Sequence, residues 1–149
     1  MDKRMKQLQI ATLDRHLAEL KPMPRPSDGW TRAIRKALGM SGRQLAMRMH
    51  IKQQTADQLE RSETDDAVSL KRLRAAAEAM GCQLVYAFVP IEGSIEATLR
   101  AQAMKKARAL IEKVNHTMVL EAQGVSHLED KIHQKAEELM QNPSPSLWE

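Results

Sequence analysis

Gln53, Gln54, Thr55 and Gln58 lie within six residues of one another, a grouping of side chains able to read a hydrogen-bonding surface. Glutamine can make paired hydrogen bonds to an adenine edge, and the adjoining Lys52 can reach phosphate or guanine. The same residues also fit a blander role, because polar side chains that open a helix are commonly just solvated. What separates the two readings is the platform beneath them.

That platform is Ser41–Glu63, SGRQLAMRMHIKQQTADQLERSE, which reads as two short helices joined by a tight turn. Ser41 with Gln44 three residues on forms a capping box. Leu45, Ala46 and Met49 then supply one apolar face at helical spacing, and His50-Ile51 interrupts it. A second helix runs on through Ala56 and Leu59. Small Ala46 and Ala56 stand where two crossing helices come close, as a helix-turn-helix requires. Leu45-Ala46, the nine-residue step to Gln54, and Gln58-Leu59-Glu60 resemble the lambda-repressor (Cro/C1 or Xre) class of helix-turn-helix. Gln53-Gln54-Thr55 is similar to the base-reading run of phage repressors in that class. Three positions depart from it. Gly42 replaces a phosphate-contacting Gln, and Lys52 replaces a Ser/Thr cap. His50 replaces a turn glycine, at a position expected to need a left-handed backbone.

The surroundings are basic. From Arg25 to His50 the chain carries Arg25, Arg32, Arg35, Lys36, Arg43 and Arg48 against Asp28 alone. Such an excess supplies phosphate contacts that orient a reading helix without themselves carrying sequence information. For the whole chain the balance is milder, +4 with a pI near 9.4. At 149 residues there is room for one domain, or for one small domain with helical extensions. Aromatics at 3% beside ten methionines favour a helical, aliphatic core over a β-sandwich. The single cysteine, Cys82, cannot close an internal disulfide, which fits a reducing cytoplasm. No apolar run has the length of a membrane span, and the first ten residues lack a signal-peptide core.

Around the platform, residues 2–20 form an amphipathic pattern with Met5, Leu8, Leu13, Leu17 and Leu20 on one stripe. A Pro-rich linker follows (21–26), in which Arg25 is either a solvated charge or an arm toward a DNA groove. Ser27 or Asp28 is expected to cap a helix whose inner face is Trp30, Ala33, Ile34, Ala37 and Leu38, ended by Gly39. After the acidic Asp65-Asp66 loop, Ser69 caps a helix through Leu70, Leu73, Ala76, Ala77 and Met80, stopped by Gly81. Residues 83–89 alternate as a β-strand ended by Pro90, with Leu84, Tyr86 and Phe88 on one face and Val85, Ala87 and Val89 on the other. A lone strand cannot satisfy its own ladder, so it should pair with a second copy or with another protein. A long helix from Ser94 to about Gln123, a break at Gly124, a last helix through Leu139 and a flexible tail containing Trp148 complete the chain.

Catalytic constellations are not found. His127 and His133 lie six apart rather than on one helical face, and no Cys or acidic cluster joins them or His116. There is no Gly-rich phosphate loop and no nucleophile elbow. Neither an enzyme nor a cofactor or metal site is expected.

A narrower resemblance covers most of residues 5–125. RPSDGWTRAIRKALGMS (25–41), the LAMRM turn, LRAAAEAMGCQLVYAFVP (73–90) and HTMVLEAQ (116–123) are similar to the mobile mystery protein A family. That resemblance implies a small Xre-type DNA-binding protein of bacterial mobile elements, encoded beside a Fic-domain partner. It also implies an antitoxin role that restrains that partner while repressing the shared operon. The (S/T)xxxE(G/N) motif of Fic-inhibitory helices is not matched at Ser94–Thr98 or at Ser62-Glu63.

The expectation is therefore a mainly all-α, lambda-repressor-like fold with one dimerisation strand. It divides into an N-terminal helix and linker (1–26), a helix-turn-helix domain (27–90) and a C-terminal helical extension (91–149). Function is expected to be that of a cytoplasmic, homodimeric, sequence-specific repressor on double-stranded operator DNA, associated with the nucleoid when bound, and the antitoxin and autoregulator of a Fic-type toxin. Gln53, Gln54, Thr55 and Gln58 would read bases; Arg43, Gln44, Arg48, Lys52 and Arg61 would hold phosphates; Leu84, Val85, Tyr86, Ala87 and Phe88 would dimerise, with half-sites about 34 Å apart. The alternative is a protein-interaction module that neutralises a toxin with little specific DNA binding. A third, weaker reading is a helical scaffold with a non-binding helix-turn-helix.

Overall fold

The computed structural model describes residues 2–117 and 125–149. Among these residues seven helices run in the order α1 (Lys3–Leu17), α2 (Trp30–Ala37), α3 (Gly42–Met49), α4 (Gln53–Thr64), α5 (Leu70–Ala79), α6 (Ile95–Thr117) and α7 (Val125–Gln141), followed by a 3-10 turn, Pro145–Trp148. The chain divides into two compact units, residues 22–87 and residues 1–21 with 88–149.

In the first unit, α3 crosses α4 on the small-residue contact read from the sequence. Leu45, Ala46, Ala56 and Leu59 are buried, together with Ala76 and Met80 on and just after α5. Both expected serine caps form: Ser41 Oγ accepts from the Gln44 N–H within a full capping box, and Ser69 Oγ accepts from the Arg72 N–H.

Helix α2 departs from expectation. Its buried residue is Thr31, while Trp30 and Leu38 are exposed, so the inward face is rotated away from the Trp30/Ala37/Leu38 stripe. Polar bonds set that rotation. Neither Ser27 nor Asp28 caps the helix; the N-cap is Gly29, and the cap is the carboxylate of Glu63, delivered from α4.

A second correction concerns residues 83–89. Among the described residues there is no β-strand, and no backbone group of this segment bonds to another backbone group. The alternation of apolar residues is real, but a ladder needs a partner backbone, and the described residues present none.

The second unit is built from both ends of the sequence. Its core is Leu99, Ala103 and Ala107 of α6 against Ile132 and Ala136 of α7, with Ile10 of α1 packed beside them. Asp14 of α1 caps α6, accepting from the N–H groups of Ile95 (2.6 Å) and Glu96 (3.2 Å). Met5, Leu8, Leu13 and Leu20 of the expected stripe are exposed; the packed face is the one carrying Ile10 and Asp14. The C-terminal residues, expected to be flexible, are docked: Leu147 is buried in the α6–α7 core and its carbonyl accepts from Gln102 Nε2 at 2.8 Å, while Trp148 stays exposed. The expected continuation of α6 to Gln123 and the break at Gly124 lie outside the described residues, as does most of the 116–123 phrase.

Candidate nucleic-acid interface

Helix α4 carries the candidate reading residues, and both of its ends are fixed. At the N-terminal end, α3 closes with His50 in the left-handed region (φ 58°, ψ 40°), as expected for this turn. The Ile51 N–H returns to the Ala46 carbonyl and the His50 N–H to that of Met47, a Schellman-type closure. At the start of α3, Gly42 leaves room for the Asp57 carboxylate: a Cβ there would sit 3.3 Å from Asp57 Oδ1 on α4.

At the other end, two buried carboxylates point away from the reading surface. Glu63 Oε1 accepts from both the N–H and the hydroxyl of Thr31 (3.0 and 2.6 Å), and Oε2 accepts from the Trp30 N–H. Glu60 receives Arg35 in a two-pronged pair (2.5 and 3.2 Å), and the same guanidinium donates to the Met40 carbonyl. Hydrogen bonding to Glu60 raises the Arg35 pKa further above its ordinary value. Arg35 therefore leaves the basic face counted from the sequence and becomes a brace between α2 and α4.

Arg25 takes neither role expected of it. Its guanidinium closes the C-terminus of α4, donating to the Glu63 carbonyl (2.5 Å), the Thr64 carbonyl (3.1 Å) and Asp66 Oδ1 (2.6 Å). A cation at a helix C-terminus also complements the backbone dipole. Asp66, of the acidic loop after α4, is paired with Arg25 there. One sequence signal could have identified this frame. Ala56, Leu59, Glu60 and Glu63 fall at i, i+3, i+4 and i+7, so two carboxylates share the apolar face and each needs a buried partner.

With these groups turned inward, the opposite face of α4 is left open to solvent. Gln53 and Gln54 are exposed, and neither side chain makes a hydrogen bond among the described residues. Lys52, the N-cap, is exposed with no side-chain capping bond. The first turn of α4 holds no acid, so Lys52 and the helix's positive end act together on anything that approaches. Gln58 is exposed but engaged with Arg61 (3.2 Å) and Ser62 (3.4 Å); Thr55 is half-buried.

The phosphate candidates divide similarly. Arg43 is exposed and Arg61 is exposed beside Gln58. Gln44 spends its carbonyl oxygen on the Ser41 N–H, keeping its amide N–H groups. Arg48 spends Nε on the Ala79 carbonyl at the end of α5 (2.6 Å), tying α3 to α5, and its terminal N–H groups remain. Of the dimerisation candidates, Leu84 is half-buried while Val85, Tyr86, Ala87 and Phe88 are exposed.

Among the described residues no group of three or more His, Cys, Asp or Glu is placed to hold a metal ion, and no helix is long and apolar enough to cross a membrane. No curated protein and no solved structure matches the chain. What does match is a family model, and only over part of the chain; it extends neither to the mobile mystery protein A family nor to a Fic partner. Residues 32–86 match the helix-turn-helix family HTH_3, and this stretch, α2 to the segment after α5, is a Cro/C1-type helix-turn-helix domain.

Proposed function

We propose that the protein is a DNA-binding transcription regulator in which α4 enters the major groove. The observation that carries this reading is the division of α4 into two faces. Every acid of its inner face is committed to α2, while Gln53 and Gln54 stand exposed and unbonded beside Lys52 at the helix's positive end. Gln53 and Gln54 read bases, with Thr55 and Gln58 flanking them. Arg43, Lys52 and Arg61 hold phosphates, with the remaining donors of Gln44 and Arg48 behind them. The finer reading is a homodimeric repressor of its own promoter. The resemblance of residues 25–41 and 73–90 to mobile mystery protein A adds an antitoxin role toward a Fic-domain partner.

The test is an anisotropy titration against the DNA upstream of its own gene, at two salt concentrations. Preference for that fragment over a scrambled one, weakening steeply with salt, is the expected result. Equal, weak binding to both would reject the reading.

A second reading, a protein-interaction module, is favoured by the exposed Met5, Leu8 and Leu13 of α1. Because Asp14 caps α6, deleting α1 would unpick its unit. Leu8→Lys with Leu13→Lys is the cleaner probe: loss of the neighbouring gene product in a pull-down, with DNA binding intact, would place the partner surface there.

A further inference from the structure

The segment between α5 and α6 is the most exposed apolar stretch of the described chain. Val85 is 75% exposed, Tyr86 62%, Phe88 91% and Ile91 99%. The backbone of 83–89 is unpaired as well: none of its N–H or C=O groups bonds to another backbone group among the described residues. Polar backbone and apolar side chains left bare together are what a β-strand partner covers.

We infer that the occupant is the same segment of a second copy, paired antiparallel across a two-fold axis at Tyr86. This deepens the regulator reading by naming its dimer interface, and it rests on that reading for its purpose but not for its test. Three observations select a second copy. Across a two-fold the segment meets its own composition, so a strand carrying one sign of charge would repel itself; from Gly81 to Ile91 there is no charged side chain at all. Gly81, in the left-handed region at φ 73°, and Pro90, which lacks an N–H, bound the available ladder at both ends. The midpoint of 83–89 is Tyr86, which sets Leu84 opposite the second copy's Phe88 and Val85 opposite its Ala87. The large side chains Leu84, Tyr86 and Phe88 then share one face and the smaller Val85, Ala87 and Val89 the other. Val85, Tyr86 and Phe88 of two copies offer on the order of 900 Å² of exposed side-chain surface to such a pairing, toward the low end of specific interfaces.

The experiment is a single-cysteine scan in the full-length protein. In a Cys82→Ser background, Leu84, Val85, Tyr86, Ala87 and Phe88 are each changed to Cys and oxidised mildly without DNA. Facing residues of an antiparallel pair have Cα atoms about 4.5–5.5 Å apart, within disulfide reach. Tyr86→Cys is expected to cross-link to a dimer far faster than the other four. Tyr86→Lys, which sets two ammonium groups face to face, is expected to sediment as a monomer with unchanged helical circular dichroism. A maximum at another position, or uniform cross-linking, would overturn the register. A monomeric wild-type chain would overturn self-pairing and leave a strand of a different protein as the occupant. A dimer that cross-links at none of the five would place the interface elsewhere. Because DNA is absent, failure here is distinct from failure of the regulator reading.

Discussion

The Glu63 carboxylate fills the space where residue 29 would carry a side chain: a Cβ on Gly29 would lie 2.9 Å from Glu63 Cδ and 2.9 Å from Oε2. Gly29 also sits at φ 83°, a region L-residues rarely adopt. The absence of a side chain at one position is thus what admits the cap at the other. Gly29→Ala is expected to cost about 2–3 kcal/mol, combining backbone strain with displacement of the cap. Glu63→Gln keeps the size but turns an amide N–H₂ toward the Trp30 or Thr31 N–H, and should cost about 1–2 kcal/mol. Urea denaturation of both variants checks the order.

The Arg35–Glu60 pair is nearly closed to solvent, with side chains 13% and 10% exposed. Removing Arg35 leaves the buried Glu60 with only a longer contact to Arg32, 3.9 Å. Arg35→Met alone is expected to cost about 3 kcal/mol, whereas Arg35→Met with Glu60→Leu should recover most of that. A double-mutant cycle in urea would show the coupling; additive losses would mean that the pair is not a unit.

His50 holds a left-handed conformation that glycine adopts without steric cost. His50→Gly is expected to stabilise the helix-turn-helix by about 0.5–1 kcal/mol. Thermal denaturation should show a rise of a few degrees, and DNA affinity should not fall, since the turn geometry is preserved.

Gln54 and Arg43 should fail in different ways. Gln54→Ala is expected to weaken binding to the preferred DNA by about 1–3 kcal/mol while leaving scrambled DNA and thermal stability unchanged. Arg43→Ala should weaken both DNAs alike and reduce the salt slope by about 1. Paired titrations over a salt series distinguish base reading from phosphate holding.

Leu147 is 2% exposed in the α6–α7 core. Leu147→Ala is expected to cost about 2–4 kcal/mol, and Trp148→Ala, at an exposed neighbour, far less. A similar loss from both would indicate that the tail is not seated through Leu147.

The helix-turn-helix was legible because its signals are local. Ser41 and Gln44 cap within one turn, Ala46 and Ala56 mark the crossing, and His50 falls where the chain must turn left-handed. Gln53 and Gln54 were readable as exposed for the same reason. What escaped was long-range. That Glu63 caps α2, Arg25 closes α4 and Asp14 caps α6 depends on pairs 32 to 82 residues apart, and a carboxylate's sequence neighbours do not say which N–H it will find. Helix α2 shows the cost of that blindness. Its apolar spacing pointed to Trp30 and Leu38, but the bonds of Thr31 and Arg35 decided which side turned inward. Residues 83–89 alternate as a strand should, yet alternation specifies only a face, and hydrogen-bond partners must come from elsewhere.

The cap from Asp14 onto α6 has a consequence for how the protein is made. Residues 22–87 are continuous, so this unit can fold on the ribosome soon after Ala87 emerges. Helix α1 precedes it in synthesis yet waits for α6, α7 and Leu147 to complete its unit. A 15-residue helix is marginal by itself in water, so α1 spends most of translation unformed, its leucines open to chaperones. Ribosomes stalled before Leu147 should therefore display a finished helix-turn-helix carried between two protease-sensitive ends.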